Sequence, residues 1–327
     1  MTASEIGQFV ASFLGNFEGD PGANIERVVL QPCGLDVDDM LAALGHPDVA
    51  AAGRTYGVQL MADLMHPTDS LYFDSIYGAY RGQRDIRGWL VPTMASVNFL
   101  DFVPTHHAHV FDDGAGKASV DEWKMMIDPT AIGGEGEPIE VGKGVSVRRY
   151  RDGWINWSCD VYDTGPFRTD PNAGLPDIPE VAWHVDPTVP ESRAREVDFE
   201  ADCARFHPTD CEYHDPIFGT FRGRDEITDW LLDVMPKCGD IVFEPLGPVF
   251  DDGRVFVQEW LQKAIRPDGS RVEMTRGTSV RRFRDGQIVY AADYFDTAPL
   301  SKPDVLAAAA ACGSTLSLDD IMRYRMR

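Results

Sequence analysis

The sequence predicts an α+β protein built from two similar domains in tandem, and three observations support this. From His66 the chain reads HPTDSLYFDSIYGAYRGQRDIRGWL, and from His207 it reads HPTDCEYHDPIFGTFRGRDEITDWL, with 13 of 25 positions identical. GVSVRRYRDG at 144–153 recurs as GTSVRRFRDG at 277–286. In each copy, helical patterns precede a run of strand patterns, without the strand–helix alternation of a parallel sheet. Two repeats of this length indicate a duplicated domain, because solenoids use more and shorter units.

The repeat also predicts the domain boundaries. We expect a first domain at 1–168 with additional N-terminal helices, a proline-rich linker at 169–190, a second domain at 191–300 and a helical tail at 301–327. The N-terminal helices include Ser4–Phe17, whose apolar residues have helical spacing.

Within each copy, a helix ends at a His-Pro pair and is followed by a short strand, a short helix and then strands only. The expected strands of the second copy are Ile241–Phe250, Val255–Ile265, Val272–Phe283 and Ile288–Phe295. Asp-Gly pairs at 252–253, 268–269 and 285–286 are strong hairpin signals between them. This order predicts an antiparallel meander after the helices.

Composition narrows the classes of partner. The formal net charge of −23 repels phosphate backbones and anionic lipids, so we expect neither a nucleic acid nor a membrane as a partner. The six cysteines form no CxxC pair, and residues 1–10 do not resemble a signal peptide, so the sequence predicts reduced thiols and a cytoplasmic protein.

The order helix, His-Pro, strand, helix and sheet, with RxRDG and DxxDT near its end, resembles the SnoaL-like family of the nuclear transport factor 2-like superfamily. The resemblance covers roughly 190–300 and, almost as well, 50–166. It implies cone-shaped domains in which helices and a curved antiparallel sheet enclose a pocket for a small hydrophobic molecule. It also implies a pseudo-twofold monomer or a homodimer. Because the superfamily includes cyclases, isomerases, dehydratases, epoxide hydrolases and binding modules, the fold does not name a reaction.

Asp160 and Asp293 occupy matched positions in the last strand of each copy. If they face the pocket, burial would raise the pKa of either carboxyl and make it a usable acid or base. The resemblance to polyketide cyclases implies an acid/base role for both. The alternative is an aspartate at a hairpin end that binds the backbone.

Arg148 and Arg281 precede the RDG turns, and a pocket arginine would need a carboxylate partner such as Asp160 or Asp293. Limonene epoxide hydrolase is similar in pairing an arginine with two aspartates. The alternative is an arginine on a solvated face of the sheet.

Further candidate catalytic residues follow each His-Pro pair. Tyr72 with Asp74, and Tyr213 with Asp215, each share one strand face, so a phenol and a carboxylate could converge. The second copy adds His214, whose imidazole titrates near neutral pH, although a structural role is the alternative.

Only the first copy has a histidine-rich segment, Thr105–His109. We expect His106 or His107 to enter the pocket, as the resemblance to scytalone dehydratase implies. No third ligand accompanies His107 and His109, so we predict no metal site. Aromatic residues expected in the core or at the pocket wall, where they would bind an aromatic substrate, are Trp89, Trp123, Tyr162, Trp230 and Trp260.

These residues predict a cofactor-free general acid/base enzyme of the lyase or isomerase type, acting on a small apolar carbonyl or hydroxyl compound. Its base would be Asp160, Asp293 or His107, with a tyrosine as proton donor and an arginine as electrostatic partner. The alternatives are an epoxide hydrolase and a non-catalytic binding module.

Overall fold

A computed structural model of the chain describes residues 16–17, 58, 61–97, 100–112, 117–132, 134–152, 154–165 and 189–325. The chain divides into two compact units, Met1–Asp160 and Val161–Arg327. Most of the helix predicted at Ser4–Phe17 and most of the predicted linker lie outside the described residues, but Asn16 and Phe17 form a strand rather than the end of that helix. The domain boundaries given above therefore stay a prediction.

The first unit contains an eight-stranded mixed sheet and the helix α1, with further helical residues at 58 and 61–63 and a 3-10 turn at Pro129–Ile132. Its elements are β1 (Asn16–Phe17), β2 (Leu71–Asp74), β3 (Gly78–Arg81), α1 (Gly82–Ser96), β4 (Leu100–Pro104), β5 (His107–Asp112), β6 (Lys117–Ile127), β7 (Ile139–Arg151) and β8 (Trp154–Tyr162). The strand order is β1-β5-β6-β7-β8-β2-β3, and β4 pairs with β6.

The second unit repeats this plan. Its elements are β9 (Ser192–Arg193), α2 (Phe199–Cys203), β10 (Glu212–Asp215), β11 (Gly219–Arg222), α3 (Arg224–Val234), β12 (Ile241–Pro245), β13 (Phe250–Asp251), β14 (Val255–Ile265), β15 (Arg271–Arg284), β16 (Gln287–Phe295), α4 (Pro303–Ala311) and α5 (Leu318–Arg325). The strand order is β11-β10-β16-β15-β14-β12-β9, and β13 pairs with β14. The predicted α+β class is confirmed in both units.

Both sheets contain a parallel pair that the sequence did not reveal. The strand after each His-Pro pair runs parallel to the last strand of its unit, β2 along β8 and β10 along β16. A parallel pair requires a long connection, and here the whole intervening meander provides it. This pairing places Asp74 directly opposite Asp160.

The predicted hairpins form where the Asp-Gly pairs occur. Asp285 has φ of 53° and Gly286 has φ of 77°, the two positive values that a two-residue primed turn requires between β15 and β16. By contrast, the helix expected to end at His207-Pro208 is reduced to α2. Ser192 and Arg193 pair with β12 instead and so leave the helix.

The tail packs against the rest of the second unit through ion pairs and through contacts of Tyr324 with Phe218 and Phe221. The ammonium group of Lys237 lies 2.8 Å from Asp233 and 2.7 Å from Asp320 of α5. Tyr324 is 7% exposed, packs against Phe221 and donates a 2.9 Å hydrogen bond to Asp233. The two tail helices are therefore part of the second core.

Candidate functional site

A buried tyrosine–aspartate pair connects β2 to β8 in the first unit. The hydroxyl of Tyr72, which is 2% exposed, donates a hydrogen bond to Oδ2 of Asp160. Burial raises the pKa of Tyr72 well above its ordinary value, and the charge of Asp160 raises it further. Tyr72 is therefore a neutral hydrogen-bond donor at any working pH.

The same pair occurs in the second unit, with one additional donor. Tyr213 donates a 2.6 Å hydrogen bond to Oδ2 of Asp293, and Ser279 donates a 2.6 Å hydrogen bond to Oδ1. Ser279 in turn accepts a 2.9 Å hydrogen bond from the indole of Trp260. Burial raises the pKa of Asp293, although these two hydrogen bonds oppose the shift. Both oxygens of the Asp293 carboxylate are therefore engaged within the protein.

In the first unit, one oxygen of the matching carboxylate remains available. Oδ1 of Asp160 is buried and has no hydrogen-bond partner among the described residues. Ser146, the counterpart of Ser279, accepts a 3.0 Å hydrogen bond from Trp123. The carboxylates of the two tyrosine–aspartate pairs therefore differ in whether Oδ1 accepts a hydrogen bond from the described residues.

Arg148 lies beside this carboxylate and is held by a residue that sequence reasoning missed. Its guanidinium donates a hydrogen bond to Oδ2 of Asp121 on β6, and the two residues are 4% and 3% exposed. Burial alone would lower the pKa of Arg148, but Asp121 and Asp160 raise it. Arg148 is thus a permanent buried cation flanked by two carboxylates.

Arg281, the matching arginine, has a different environment. Its guanidinium lies 3.3 Å from Asp202, and their side chains are 26% and 23% exposed. It also lies 5.6 Å from the ring centroid of Phe256, which occupies the position of Ser119 in the first unit. The second unit therefore has no equivalent of the buried Asp121–Arg148 pair among its described residues.

Asp74 and Asp215 act as turn residues. Oδ1 of Asp74 accepts hydrogen bonds of 2.8 and 3.0 Å from the backbone of Ile76 and Tyr77. Asp215 accepts the same two bonds in its own turn. Burial raises the pKa of Asp215 to about 7 even so. Their predicted catalytic role stays a prediction, and the contacts shown are structural.

The contacts described for His214 and His106 lie away from the tyrosine–aspartate pairs. Nδ1 of His214 lies 3.2 Å from the hydroxyl of Thr220, and strand alternation places it on the face opposite Tyr213. Nδ1 of His106 lies 3.4 Å from the fully buried carboxylate of Glu122, on the face of β6 opposite Asp121. The side chain of His107 lies outside the described residues, so its role stays a prediction.

Two of the aromatic candidates contact the tyrosines of the two tyrosine–aspartate pairs. Trp89 on α1 contacts Tyr72 edge to face at 5.2 Å, and Trp230 on α3 contacts Tyr213 at 5.0 Å. Tyr162 is buried at the end of β8. Because α1 supplies Trp89, the helix covers the sheet face that carries Tyr72 and Asp160.

Sequence reasoning also missed that the sheet surface around Arg148 in the first unit is more polar than the matching surface around Arg281 in the second. Around Arg148 the first unit has Ser119, Asp121, Tyr150, Asn156 and Ser158, where the second unit has Phe256, Gln258, Phe283, Val289 and Ala291. The signal was present in the repeat, because the substitutions at Ser119, Asp121, Tyr150 and Ser158 fall on one face of the aligned strands.

Two further observations concern the described residues only. No group of three or more His, Cys, Asp or Glu residues among them is arranged to hold a metal ion. None of the described helices is long and apolar enough to cross a bilayer.

Comparison with known proteins assigns the second unit to a family. The profile of the SnoaL-like domain matches residues 193–291. Residues 193–291 are a SnoaL-like domain. The resemblance inferred from the sequence motifs is thereby confirmed for this copy, and the tandem arrangement is supported by the repeated sheet plan of the first unit.

Several solved structures are similar to parts of the chain. An NTF2-like protein of unknown function from Burkholderia pseudomallei is 23% identical over 32% of this chain and 82% of its own, with a TM-score of 0.27. A candidate polyketide cyclase from Sinorhizobium meliloti is 25% identical over 29% of this chain and 81% of its own, with a TM-score of 0.24. A protein with a ketosteroid isomerase-like fold from Catenulispora acidiphila, in complex with trimethylamine, is 19% identical over 40% of this chain and 93% of its own, with a TM-score of 0.28. No curated protein sequence matches the chain.

Proposed function

We propose that the first SnoaL-like unit is a general acid/base enzyme that needs no cofactor and acts on a small apolar carbonyl or hydroxyl compound. The observation that carries this proposal is the available Oδ1 of Asp160 beside the buried cation Arg148. A carboxylate fixed by Tyr72 through its other oxygen is oriented for proton transfer.

The proposed reaction begins with removal of a proton from carbon. Oδ1 of Asp160 takes a proton from the carbon next to a carbonyl, and the C–H electron pair moves to form an enolate. Arg148 stabilises the negative charge that develops on the carbonyl oxygen. Protonated Asp160 then returns the proton to another carbon, which gives isomerisation, or to a departing hydroxyl, which gives dehydration.

The second unit is proposed as a supporting domain. Both oxygens of Asp293 are already hydrogen bonded, and Arg281 pairs with the more exposed Asp202. A base whose two oxygens are occupied must break a hydrogen bond before it can accept a proton.

Solvent deuterium uptake tests this proposal. We expect the full chain to catalyse exchange at the α-carbon of 1-indanone in D₂O, followed by mass spectrometry. Asp160→Asn should lower the exchange rate by ~10²–10⁴-fold, the usual range for a lost acid/base group. The matched control, Asp293→Asn, should change the rate by less than about threefold on the same reasoning. Equal losses from both variants would contradict the assignment to the first unit.

A second candidate function is the opening of an epoxide by water. It is favoured by the position of Arg148 between two carboxylates, Asp121 and Asp160. One carboxylate would take a proton from water as the water oxygen bonds to an epoxide carbon, the bond from that carbon to the epoxide oxygen breaks, and the other carboxyl, in its protonated form, gives its proton to that oxygen. Indene oxide in H₂¹⁸O separates the candidates, because a labelled diol forms only if water is added.

A further inference from the structure

A row of buried polar atoms follows one face of β8 in the first unit. The hydroxyl of Ser158, which is 0% exposed, has no hydrogen-bond partner among the described residues, and neither does Oδ1 of Asn156 or Oδ1 of Asp160. Side chains two residues apart point to the same face of a strand. Tyr72 pairs with Ser158 and Asp74 pairs with Asp160 across β2 and β8, so these two groups face the same side as Tyr72, whereas Val289, the counterpart of Asn156, lies at an irregularity in the register of β16.

Arg148 adds a donor to this row. Its Nε is also buried without a partner among the described residues, although its terminal nitrogen binds Asp121. In the second unit, Arg281 pairs with Ala291 across β15 and β16, and Ala291 is the counterpart of Ser158. The same register places Arg148 beside Ser158.

The fold does not require these polar groups. The second unit builds the same strand with Val289 and Ala291, and its aspartate is satisfied by Ser279. Buried polar groups without partners are destabilising and therefore rare in folded proteins. A set of them on one face, next to a candidate base, indicates a binding site for a polar part of a ligand.

We propose that Ser158 and Arg148, beside the candidate base Asp160, form a subsite for a neutral ligand that carries a hydroxyl next to a carbonyl. The ligand hydroxyl donates to Oγ of Ser158, and the carbonyl oxygen accepts from Nε of Arg148, so Oδ1 of Asp160 remains available to take the proton. The inference rests on the proposed function and defines its substrate class as hydroxylated ketones.

Spacing and charge both agree with this ligand. Opposite residues on neighbouring strands, such as Arg148 and Ser158, have Cβ atoms ~4.5–5.5 Å apart, which two adjacent ligand oxygens span with hydrogen bonds of ~2.7–3.0 Å. Asp121, Arg148 and Asp160 together carry one net negative charge, so a carboxylate or phosphate ligand would be repelled.

The test compares two probes on the full chain by isothermal titration calorimetry. We expect 2-hydroxy-1-indanone to bind about tenfold more tightly than 1-indanone, the effect of one well-placed hydrogen bond. The double variant Asn156→Val with Ser158→Ala introduces the residues that the second unit already tolerates. In this variant the preference should fall to about threefold or less on the same reasoning.

The matched control places the polar residues in the other unit. Val289→Asn with Ala291→Ser should leave the preference of the chain unchanged. Equal binding of the two probes by the unaltered protein, or a preference that survives the double variant, would overturn the proposed subsite.

Binding does not require turnover, so the two proposals can fail separately. Selective binding without deuterium exchange would reject the proposed chemistry and keep the subsite. Exchange with unselective binding would reject the subsite and keep the chemistry.

Discussion

Ser279 donates a 2.6 Å hydrogen bond to Oδ1 of Asp293 and so engages the carboxylate oxygen whose counterpart in the first unit, on Asp160, has no partner among the described residues. The two units thus share the strand order and the tyrosine–aspartate pair, but they differ in the hydrogen bonds that the carboxylate accepts. Both oxygens of Asp293 accept hydrogen bonds within the fold, whereas only Oδ2 of Asp160 does so among the described residues.

The first prediction concerns the hydroxyl that orients Asp160. Tyr72→Phe removes the hydrogen bond to Oδ2 and should lower the exchange rate by ~10–10²-fold, since a misplaced base loses orientation. Tyr213→Phe is the matched control and should leave the rate nearly unchanged. NMR measures the exchange rate of both variants. An unchanged rate in Tyr72→Phe would contradict the role of Tyr72 in orienting Asp160.

The second prediction concerns the buried ion pair. Asp121→Asn leaves the Arg148 cation buried with a weaker partner and should destabilise the protein by ~3–5 kcal/mol in urea denaturation. Asp202→Asn breaks the more exposed pair with Arg281 and should cost ~0–1 kcal/mol. Replacing both Asp121 and Arg148 by apolar residues should restore stability but not exchange. Similar losses from the two single variants would contradict the difference in burial.

The third prediction concerns pH. Because burial raises the folded-state pKa of Asp215 to about 7, the folded protein keeps a proton that the unfolded chain releases near pH ~4. Asp215 therefore lowers stability progressively as pH rises from ~4 to ~7. Asp215→Asn keeps an acceptor for the two backbone bonds and removes this penalty. The stability of the variant relative to the original protein should rise across that window. A difference in melting temperature between the two proteins that is the same at pH 4, 5.5 and 7 would contradict the raised pKa of Asp215.

The fourth prediction concerns two glycines under tryptophan rings. A Cβ on Gly144 would overlap the ring of Trp123, and one on Gly277 would overlap Trp260. Gly144→Ala and Gly277→Ala should each cost ~1–3 kcal/mol through overpacking. Gly88 in α1 has open space around its Cβ position, so Gly88→Ala should instead stabilise by ~0.5–1 kcal/mol. Thermal denaturation measures the stability of the three variants. A Gly277→Ala variant as stable as the original protein would contradict the expected overlap with Trp260.

The fifth prediction concerns metals. Dialysis against EDTA and 1,10-phenanthroline should leave the exchange rate unchanged, because the described residues contain no clustered ligand set. Loss of exchange that added zinc or iron restores would contradict the cofactor-free proposal.

The sequence by itself determined the duplication, the α+β class and the hairpins. These follow from local signals, because an Asp-Gly turn such as 285–286 and a strand pattern act over a few residues. The pairing of Tyr72 with Asp160 could be anticipated as a choice of candidate residues but not as a contact. Their strands are separated by most of the domain and meet through the parallel register of β2 and β8.

Only the tertiary structure decided which candidates act together. Asp121 lies beside Arg148 because β6 pairs with β7. His214 lies away from Tyr213 because alternation along β10 places its side chain on the opposite face. The same applies to the available oxygen of Asp160 and the polar row at Ser158, since burial and hydrogen bonding depend on every neighbouring strand. Residue types specify the chemistry that is possible, whereas packing fixes which polar atoms remain without a partner.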